Sequence, residues 1–435
     1  MTRTAPRVTP ALAAVVLAAM LSAVGCRADE GPPGSAPVQL SIACGALGVE
    51  LRLCTAAVRA WEAETGHRVT IVSTPNNSSD RLALYLQLLG SRSAEVDVLL
   101  IDVVWTGILA SRLADLGPFL GDLPADTFPS LVANNTIDGR LVAVPWWVDV
   151  GVLYYRSDLL AKYGFSPPET WQAMTDAARV IQQAERQQGH TGLWGFVFQG
   201  NAYEGLTCNA LEWIASFGGG SIVNAAGEVT VDNPRARAAL TLARSWVGDI
   251  APRGVLSYTE EAARGLFQTG NAVFMRNWPY AWALAQTADS PVRGRVGVVK
   301  LPAGPGGESA GTLGGWHRAV SRQSRHPAEA ASLVAFLTSR AQQRQRAIEA
   351  SYNPTLRSLY SDPGVLAANP FFGELRVPLE TAVARPARIA GPHYNRLSND
   401  VWRAVHGILG GESTPDAGLM SLTNDLNRLK HRADW

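Results

Sequence analysis

Between Gln39 and Ile101 short apolar runs alternate with helically spaced ones, and this alternation restricts the fold more than any other feature. Gln39 to Ala43 reads as a short apolar strand, Leu51 to Thr65 as an amphipathic helix and Val69 to Ser73 as a β-branched strand. Arg81 to Gly90 then places Leu82, Leu84, Tyr85, Leu88 and Leu89 at helical spacing, and Val96 to Ile101 (VDVLLI) is a strand buried on both faces. A βαβαβ order of this kind implies a parallel sheet with helices packed on it. A second series follows, with strands at Leu141 to Val144, Val152 to Tyr155 and Gly192 to Gln199 and a helix from Tyr203 to Phe217. Within it Thr170 is a natural N-cap for a helix whose buried stripe is Trp171, Met174, Ala178 and Ile181. Arg325 to Ala350 and Asn399 to His431 are largely helical in pattern.

The N-terminus is of a different kind. Arg3 and Arg7 precede an uncharged apolar run from Ala11 to Gly25, closed by Ala23-Val24-Gly25-Cys26, which reads as a signal peptide (1–26) ending in a lipobox. The run is short for a mature spanning helix. Cleavage before Cys26 would leave a lipid-modified N-terminal cysteine, followed by a polar, Pro/Gly-rich tether over 27–38. The expectation is an exported, membrane-anchored protein with a soluble body facing the periplasm or extracytoplasmic space. The alternative is an ordinary secretory signal with an incidental cysteine.

The charge balance points away from nucleic acid and polybasic lipid partners. The 435 residues carry 38 basic and 37 acidic side chains, and losing Arg3 and Arg7 with the leader leaves them nearly even. Roughly 400 remaining residues exceed one ordinary core and suit two domains. The lysines are Lys162, Lys300 and Lys430, none in a Gly-rich GK[ST] context, which excludes a P-loop. Beyond Cys26 the cysteines are Cys44, Cys54 and Cys208. Cys44 and Cys54 sit where a strand gives way to a helix and suit a disulfide in an oxidising compartment, or else two buried thiols. Cys208 reads as a helix core residue.

Tryptophan is abundant, thirteen in all, and several stand beside Gly, Pro or a carboxylate: Asp102-Val103-Val104-Trp105, Pro145-Trp146-Trp147-Val148-Asp149, Asn277-Trp278-Pro279-Tyr280-Ala281-Trp282 and Gly314-Gly315-Trp316-His317. A flat indole matches the C–H face of a pyranose, and a neighbouring carboxylate accepts from adjacent hydroxyls. Each of these aromatics also has a plain reading as core. Their clustering at element ends, where parallel α/β sheets place their sites, favours a pocket for a polar, neutral ligand. Tyr154-Tyr155 admits an iron-ligand reading, but a place inside the VLYYR strand favours a structural one. No nucleophile motif, HExxH or metal-ligand cluster is present, and the seven histidines are scattered.

Several long segments carry a family resemblance. DVVW from 102, LYYRSDLLAKYGFSPPETWQ from 153, WGFVFQGNAYEGLTCNALEW from 194, LFQTGNAVFMRNWPYAW from 266, GTLGGWHRAVS from 311, NPTLRSLYSDP from 353 and ARPARIAGPHYNRLS from 384 occur in one order. In these the chain resembles the solute-binding proteins of bacterial and archaeal ABC sugar importers, nearest to their trehalose/maltose-binding branch. The resemblance covers nearly the whole mature chain. It implies an α/β, two-lobe periplasmic-binding-protein-like fold with a hinge and ligand cleft. Lobe 1 would comprise 39–149 and 315–378, and lobe 2 would comprise 150–314 and 379–435.

The same resemblance implies the site. Glu50, Asp102 and Asp149 would bind sugar hydroxyls, and Trp278, Tyr280 and Trp316 would form the aromatic platform. Gly314 and Gly315 would let the backbone approach the ligand, and Arg385 would be a cleft arginine. An arginine expected after the second strand falls in STPNNSSDR, where Arg81 is the candidate and Asp80 competes for the position. The implied protein is a monomer without cofactor or metal and not an enzyme. It would capture an α-glucoside (trehalose, maltose or a similar disaccharide) by cleft closure, for delivery to permease subunits driven by a cytoplasmic ATPase. A secreted glycoside hydrolase, which also joins paired carboxylates to aromatic subsites, is the alternative, and a scaffold or adhesin lipoprotein is a third reading.

Overall fold

A computed structural model describes residues 36–45, 48–433 and 435; Cys26 and nearly all of the tether lie outside the described residues. Residues 38–435 form one compact unit. Its strands are β1 (Gln39–Ala43), β2 (Arg68–Val72), β3 (Val98–Asp102), the short pair β4 (Thr136–Ile137) and β5 (Arg140–Leu141), β6 (Val144–Val150), β7 (Val152–Arg156), β8 (Trp194–Val197), β9 (Ala272–Asn277), β10 (Val296–Lys300) and β11 (Leu313–Val320).

Two larger sheets organise these strands into two lobes. The first runs β2-β1-β3-β11-β6 and the second β10-β7-β9-β8. The βαβαβ reading is met by the parallel pairs β1/β2 and β1/β3. The expectation of a purely parallel sheet is not: β11 pairs antiparallel with β3 and with β6, and β7 pairs antiparallel with β9 and β10. The reason is connectivity. β6 leaves the first sheet through Gly151 straight into β7 of the second, and β11 enters the first sheet after the chain has left β10. Neither arrives through a crossover helix, so neither is held to the parallel direction.

β6 is also longer than the strand expected at Leu141 to Val144. Its VPWWVDV sequence contains Pro145, which reads as a strand breaker but is tolerated because β6 lies at the sheet edge. Pro145 faces His317 where the β6/β11 register shifts between Trp316 and His317. The extra residue is Trp146 of β6, so the bulge bends β6 there and re-aims Trp146, while Trp147 stays opposite Trp316.

The first helix, α1 (Gly48–Thr65), starts three residues before the expected Leu51 and so takes Glu50 into its first turn. The second, α2 (Ser78–Gly90), likewise starts before Arg81, because Asn77 caps it by accepting from the N–H groups of Ser79 (2.9 Å) and Asp80 (3.2 Å). In the second lobe Thr170 caps the helix Trp171–Gln187 as expected, accepting from Ala173 N–H at 3.1 Å. That helix buries Trp171, Met174, Ala178 and Ile181. Trp171, Phe196, Phe198, Trp213 and Trp246 form an aromatic core there, with Trp171 Nε1 donating to Ser216 Oγ at 2.9 Å.

Cys44 and Cys54 form a disulfide with a Cα separation of 5.9 Å, tying the end of β1 to α1; Cys208 is a buried free thiol. The bridge closes a short loop, so removing it through Cys44→Ala and Cys54→Ala together should cost about 2 to 3 kcal/mol in a urea titration. Peptide mapping of freshly exported protein without reductant should recover the linked pair. Alkylation of both thiols in that sample would contradict the bridge.

Candidate functional site

Between the two sheets lies a cavity of about 260 Å³, just below the range typical for small-ligand pockets. Each of the ten candidate residues lines it: Glu50, Arg81, Asp102, Asp149, Trp278, Tyr280, Gly314, Gly315, Trp316 and Arg385. They come from different places in the chain. Glu50 and Arg81 sit in the first turns of α1 and α2, Asp102 closes β3, and Asp149 and the 314–316 segment lie on neighbouring strands, Gly314 opposite Asp149. Trp278 and Tyr280 follow β9 of the other lobe.

Of the two residues weighed for this position, Arg81 lines the cavity and Asp80 does not. Asp80 is exposed, whereas Arg81 is buried, donates through Nε to Pro75 O at 3.0 Å and holds its guanidinium 4.7 Å from the Trp316 ring centroid. Trp316 is braced from behind by Trp105, edge to face at 5.5 Å. Trp105 and Trp146, which share the sequence clusters, belong to the core and do not line the cavity.

The two glycines have a local reason beyond ligand approach. A Cβ on Gly314 would stand 2.9 Å from Cζ3 of Trp278, and one on Gly315 (φ 127°) would stand 2.5 Å from Trp147 O. Gly314 therefore makes room for the indole, and Gly315 for the backbone of β6. Gly45 serves Glu50 in the same way, since a Cβ there would collide with the Glu50 carboxyl.

Asp149 is the most unusual group present. Only 6% exposed, it accepts from Trp147 Nε1 at 2.9 Å through Oδ2, while Oδ1 has no hydrogen-bond partner. Burial pushes its pKa up to about 7; the Trp147 indole and Arg276 oppose this, and Asp102 and Glu50 add to it. Glu50 is also raised, by burial first, with Arg81 and Arg318 drawing it back. A buried carboxylate oxygen without a partner costs free energy until a donor arrives.

Other lining groups escaped the sequence reading. Glu204 accepts from Arg385 Nη1 at 2.7 Å, and Arg385 Nη2 donates to Asp102 Oδ1 at 3.0 Å, so this arginine bridges the lobes. Glu260 accepts from the Tyr203 hydroxyl at 2.6 Å, and Glu261 accepts from the Tyr280 hydroxyl at 2.6 Å and from Arg264. Tyr352 stacks on Tyr280 at 6.5 Å and lies 4.5 Å from Trp147. Glu204 stands inside the WGFVFQGNAYEGLTC segment, a usable signal. Glu260 and Glu261 open the helix Glu260–Gln268, where acids are expected for helix stability alone. Tyr154 takes a supporting role: its hydroxyl donates to the carbonyls of Trp278 and Pro279, each at 2.9 Å, fixing the turn that carries the platform. Among the described residues no group of His, Cys, Asp and Glu is arranged to hold a metal ion.

The arrangement can hold a small polar molecule between indoles and carboxylates. Comparison with known proteins agrees. The family model for bacterial extracellular solute-binding proteins matches residues 53–344. A "Probable ABC transporter-binding protein" of Deinococcus radiodurans is 48% identical over 397 residues, covering 91% of this chain and 94% of the relative. The maltose-bound structure of T. maritima MalE3 is 38% identical with a TM-score of 0.85, covering 90% of this chain and 100% of that one. The GacH receptor of Streptomyces glaucescens, at 24% identity and a TM-score of 0.79, covers 91% of this chain and 99% of its own and shares the fold. No described helix is long and apolar enough to cross a membrane. With its two lobes, its interlobe cavity and a family match over most of its length, the chain belongs to the bacterial extracellular solute-binding proteins of ABC transporters.

Proposed function

We propose that this protein captures an α-glucoside, trehalose, maltose or a similar disaccharide, in the cavity between its lobes and delivers it to an ABC permease. The observation that carries the reading is Asp149: an unpartnered, buried carboxylate oxygen beside Trp278 calls for a hydroxyl donor on a ligand with an apolar face. Trp316 and Trp278 offer indoles from opposite lobes, which suits a ligand of two rings. The maltose held by MalE3 of T. maritima supports the same ligand class.

Closure follows from the division of contacts. Glu50, Arg81, Asp102, Asp149 and Trp316 belong to lobe 1 and Trp278 and Tyr280 to lobe 2, with boundaries at 39–149 and 315–378 against 150–314 and 379–435. A ligand touching both sets stabilises the closed form by its differential contacts. The permease, driven by its cytoplasmic ATPase, recognises that closed form, and the protein acts as a monomer anchored through lipid on Cys26.

The ligand assignment is tested by calorimetry against trehalose, maltose, sucrose, glucosylglycerol and mannitol. Stoichiometric binding of an α-glucoside without product is expected. Turnover of the sugar would establish a hydrolase instead, and preference for mannitol would overturn the α-glucoside class. Asp149→Ala should weaken binding by about 1.5 to 3 kcal/mol, or about one to two decades, and Trp278→Ala and Trp316→Ala should shrink the sugar-induced fluorescence change. Trp171→Phe, within the second-lobe core, should alter stability rather than affinity. Folded Asp149→Ala and Trp278→Ala proteins binding the sugar as wild type does would remove the site assignment.

Asp149 also predicts a pH dependence of stability. An acid whose folded pKa stands above its unfolded value stabilises the fold at low pH, and that contribution disappears as pH rises through about 7. The span from 3.8 to about 7 sets an upper bound of about 4 kcal/mol. Ligand-free Asp149→Asn should therefore melt above wild type at about pH 8, with the gap narrowing below about pH 7 and closing only at about pH 4. Parallel melting curves across that range would contradict it.

The anchor is tested separately. Cys26→Ala should abolish labelling by a fatty-acid probe and release the protein from membranes, whereas undiminished labelling would place the lipid elsewhere or nowhere.

A further inference from the structure

The platform residue Trp278 rests on a charged support beneath the cavity. Arg276, on β9 and 1% exposed, holds its guanidinium carbon 3.9 Å from the Trp278 ring centroid. Its nitrogens are committed elsewhere: Nε donates to Glu212 Oε2 at 2.8 Å, Nη2 to Glu212 Oε1 at 2.5 Å and Nη1 to Gln199 Oε1 at 3.1 Å. A planar fork fixed at three points can present only one face to the indole. One face of Trp278 is thus covered by protein, its edge lies against Gly314, and the remaining face is left to the cavity.

The anchor of that fork lies at the crossing between lobes. Glu212 Oε1 also accepts from Thr312 N–H at 3.1 Å, one residue before β11. At a second crossing, a Cβ on Gly151 would collide with Glu212 Oε1 and stand 2.7 Å from Arg276 Nη2. The same carboxylate therefore touches both the β6-to-β7 link and the segment leading into β11.

We propose that Arg276 is a positioning residue for the ligand platform: through Glu212 it fixes the plane of Trp278 relative to two of the three interlobe crossings, so that the indole face is set before ligand arrives. The inference rests on the reading of Trp278 as the sugar platform. Charge alone does not serve this role, because the pair with Glu212 is neutral as a unit and the guanidinium acts through its flat shape.

The test uses the mature protein labelled with 5-fluorotryptophan, with the Trp278 resonance assigned through Trp278→Phe. Arg276→Lys keeps the charge but loses the fork, and Glu212→Gln with Arg276→Met removes both charges together, so that no buried ion is left unpaired should the single variant fail to fold. In the ligand-free protein either variant should shift or broaden the Trp278 resonance and leave that of Trp171 in place. Maltose affinity should fall at least about tenfold. A folded variant with an unmoved Trp278 resonance and maltose affinity within about twofold of wild type overturns the proposal. Trp278→Ala separates the two claims: unchanged maltose binding there removes the sugar-platform reading, while the resonance still decides whether Arg276 positions the indole.

Discussion

One guanidinium joins three segments that would otherwise meet only at the cavity. Arg385 donates to Glu204 of the second lobe at 2.7 Å, to Asp102 at the end of β3 at 3.0 Å and to Leu313 O at the start of β11 at 3.4 Å. Glu204 is further held by the hydroxyls of Tyr394 (2.5 Å) and Ser398 (2.6 Å), which extends the network to the helix Tyr394–Gly410. Burying these charges is costly, and the arrangement is stable because almost every polar atom in it is engaged. Without the arginine, two buried carboxylates would face each other across the lobe boundary. That repulsion makes Arg385 a condition for the cavity to have its present shape as much as a group lining it.

Elsewhere the interior handles arginine differently. Arg318 and Arg346 flank Trp146, with guanidinium carbons 3.4 and 4.9 Å from its ring centroid, and they donate to backbone carbonyls: Arg318 to Ala43 O, Arg346 to Leu337 O and Trp146 O. Burial lowers each to about 9, Glu50 partly offsetting this for Arg318, so both remain charged at neutral pH. Indole faces and carbonyl dipoles replace the carboxylate that a buried cation usually requires. The consequence for the site is a positive field behind Glu50, which moderates the effect of burial on that carboxyl.

How much was legible in the sequence depends on whether a residue's role is local. The capped helix at Thr170, the doubly buried β3 and the Cys44–Cys54 pair rest on patterns a few residues long, and the structure contains all three. The direction of β11 and the length of β6 did not show, because both follow from the chain passing between lobes, and Pro145 masks an edge strand as a break. Among cavity residues the aromatics announced themselves by their neighbours. Glu260 and Glu261 did not, since acids at a helix start have a sufficient local explanation. The glycines carry a second constraint that the sequence did not show: besides lining the cavity, 314 and 315 stand where a Cβ would meet Trp278 and the backbone of β6.

The polar inventory of the cavity identifies the acceptor that a ligand donor would satisfy. Arg264 offsets Glu261, and Arg385 stands between Asp102 and Glu204, but Asp149 Oδ1 faces no donor, and Glu260 is met by hydroxyl and indole groups alone. The fold therefore carries an unsatisfied acceptor that packing could have avoided with an apolar residue. On the proposed reading, a ligand hydroxyl reaching Oδ1 from one lobe, with its ring on Trp278 of the other, would recover this free energy only when the lobes are together. The gain is then differential between open and closed forms, which is what a ligand must supply to shift the equilibrium.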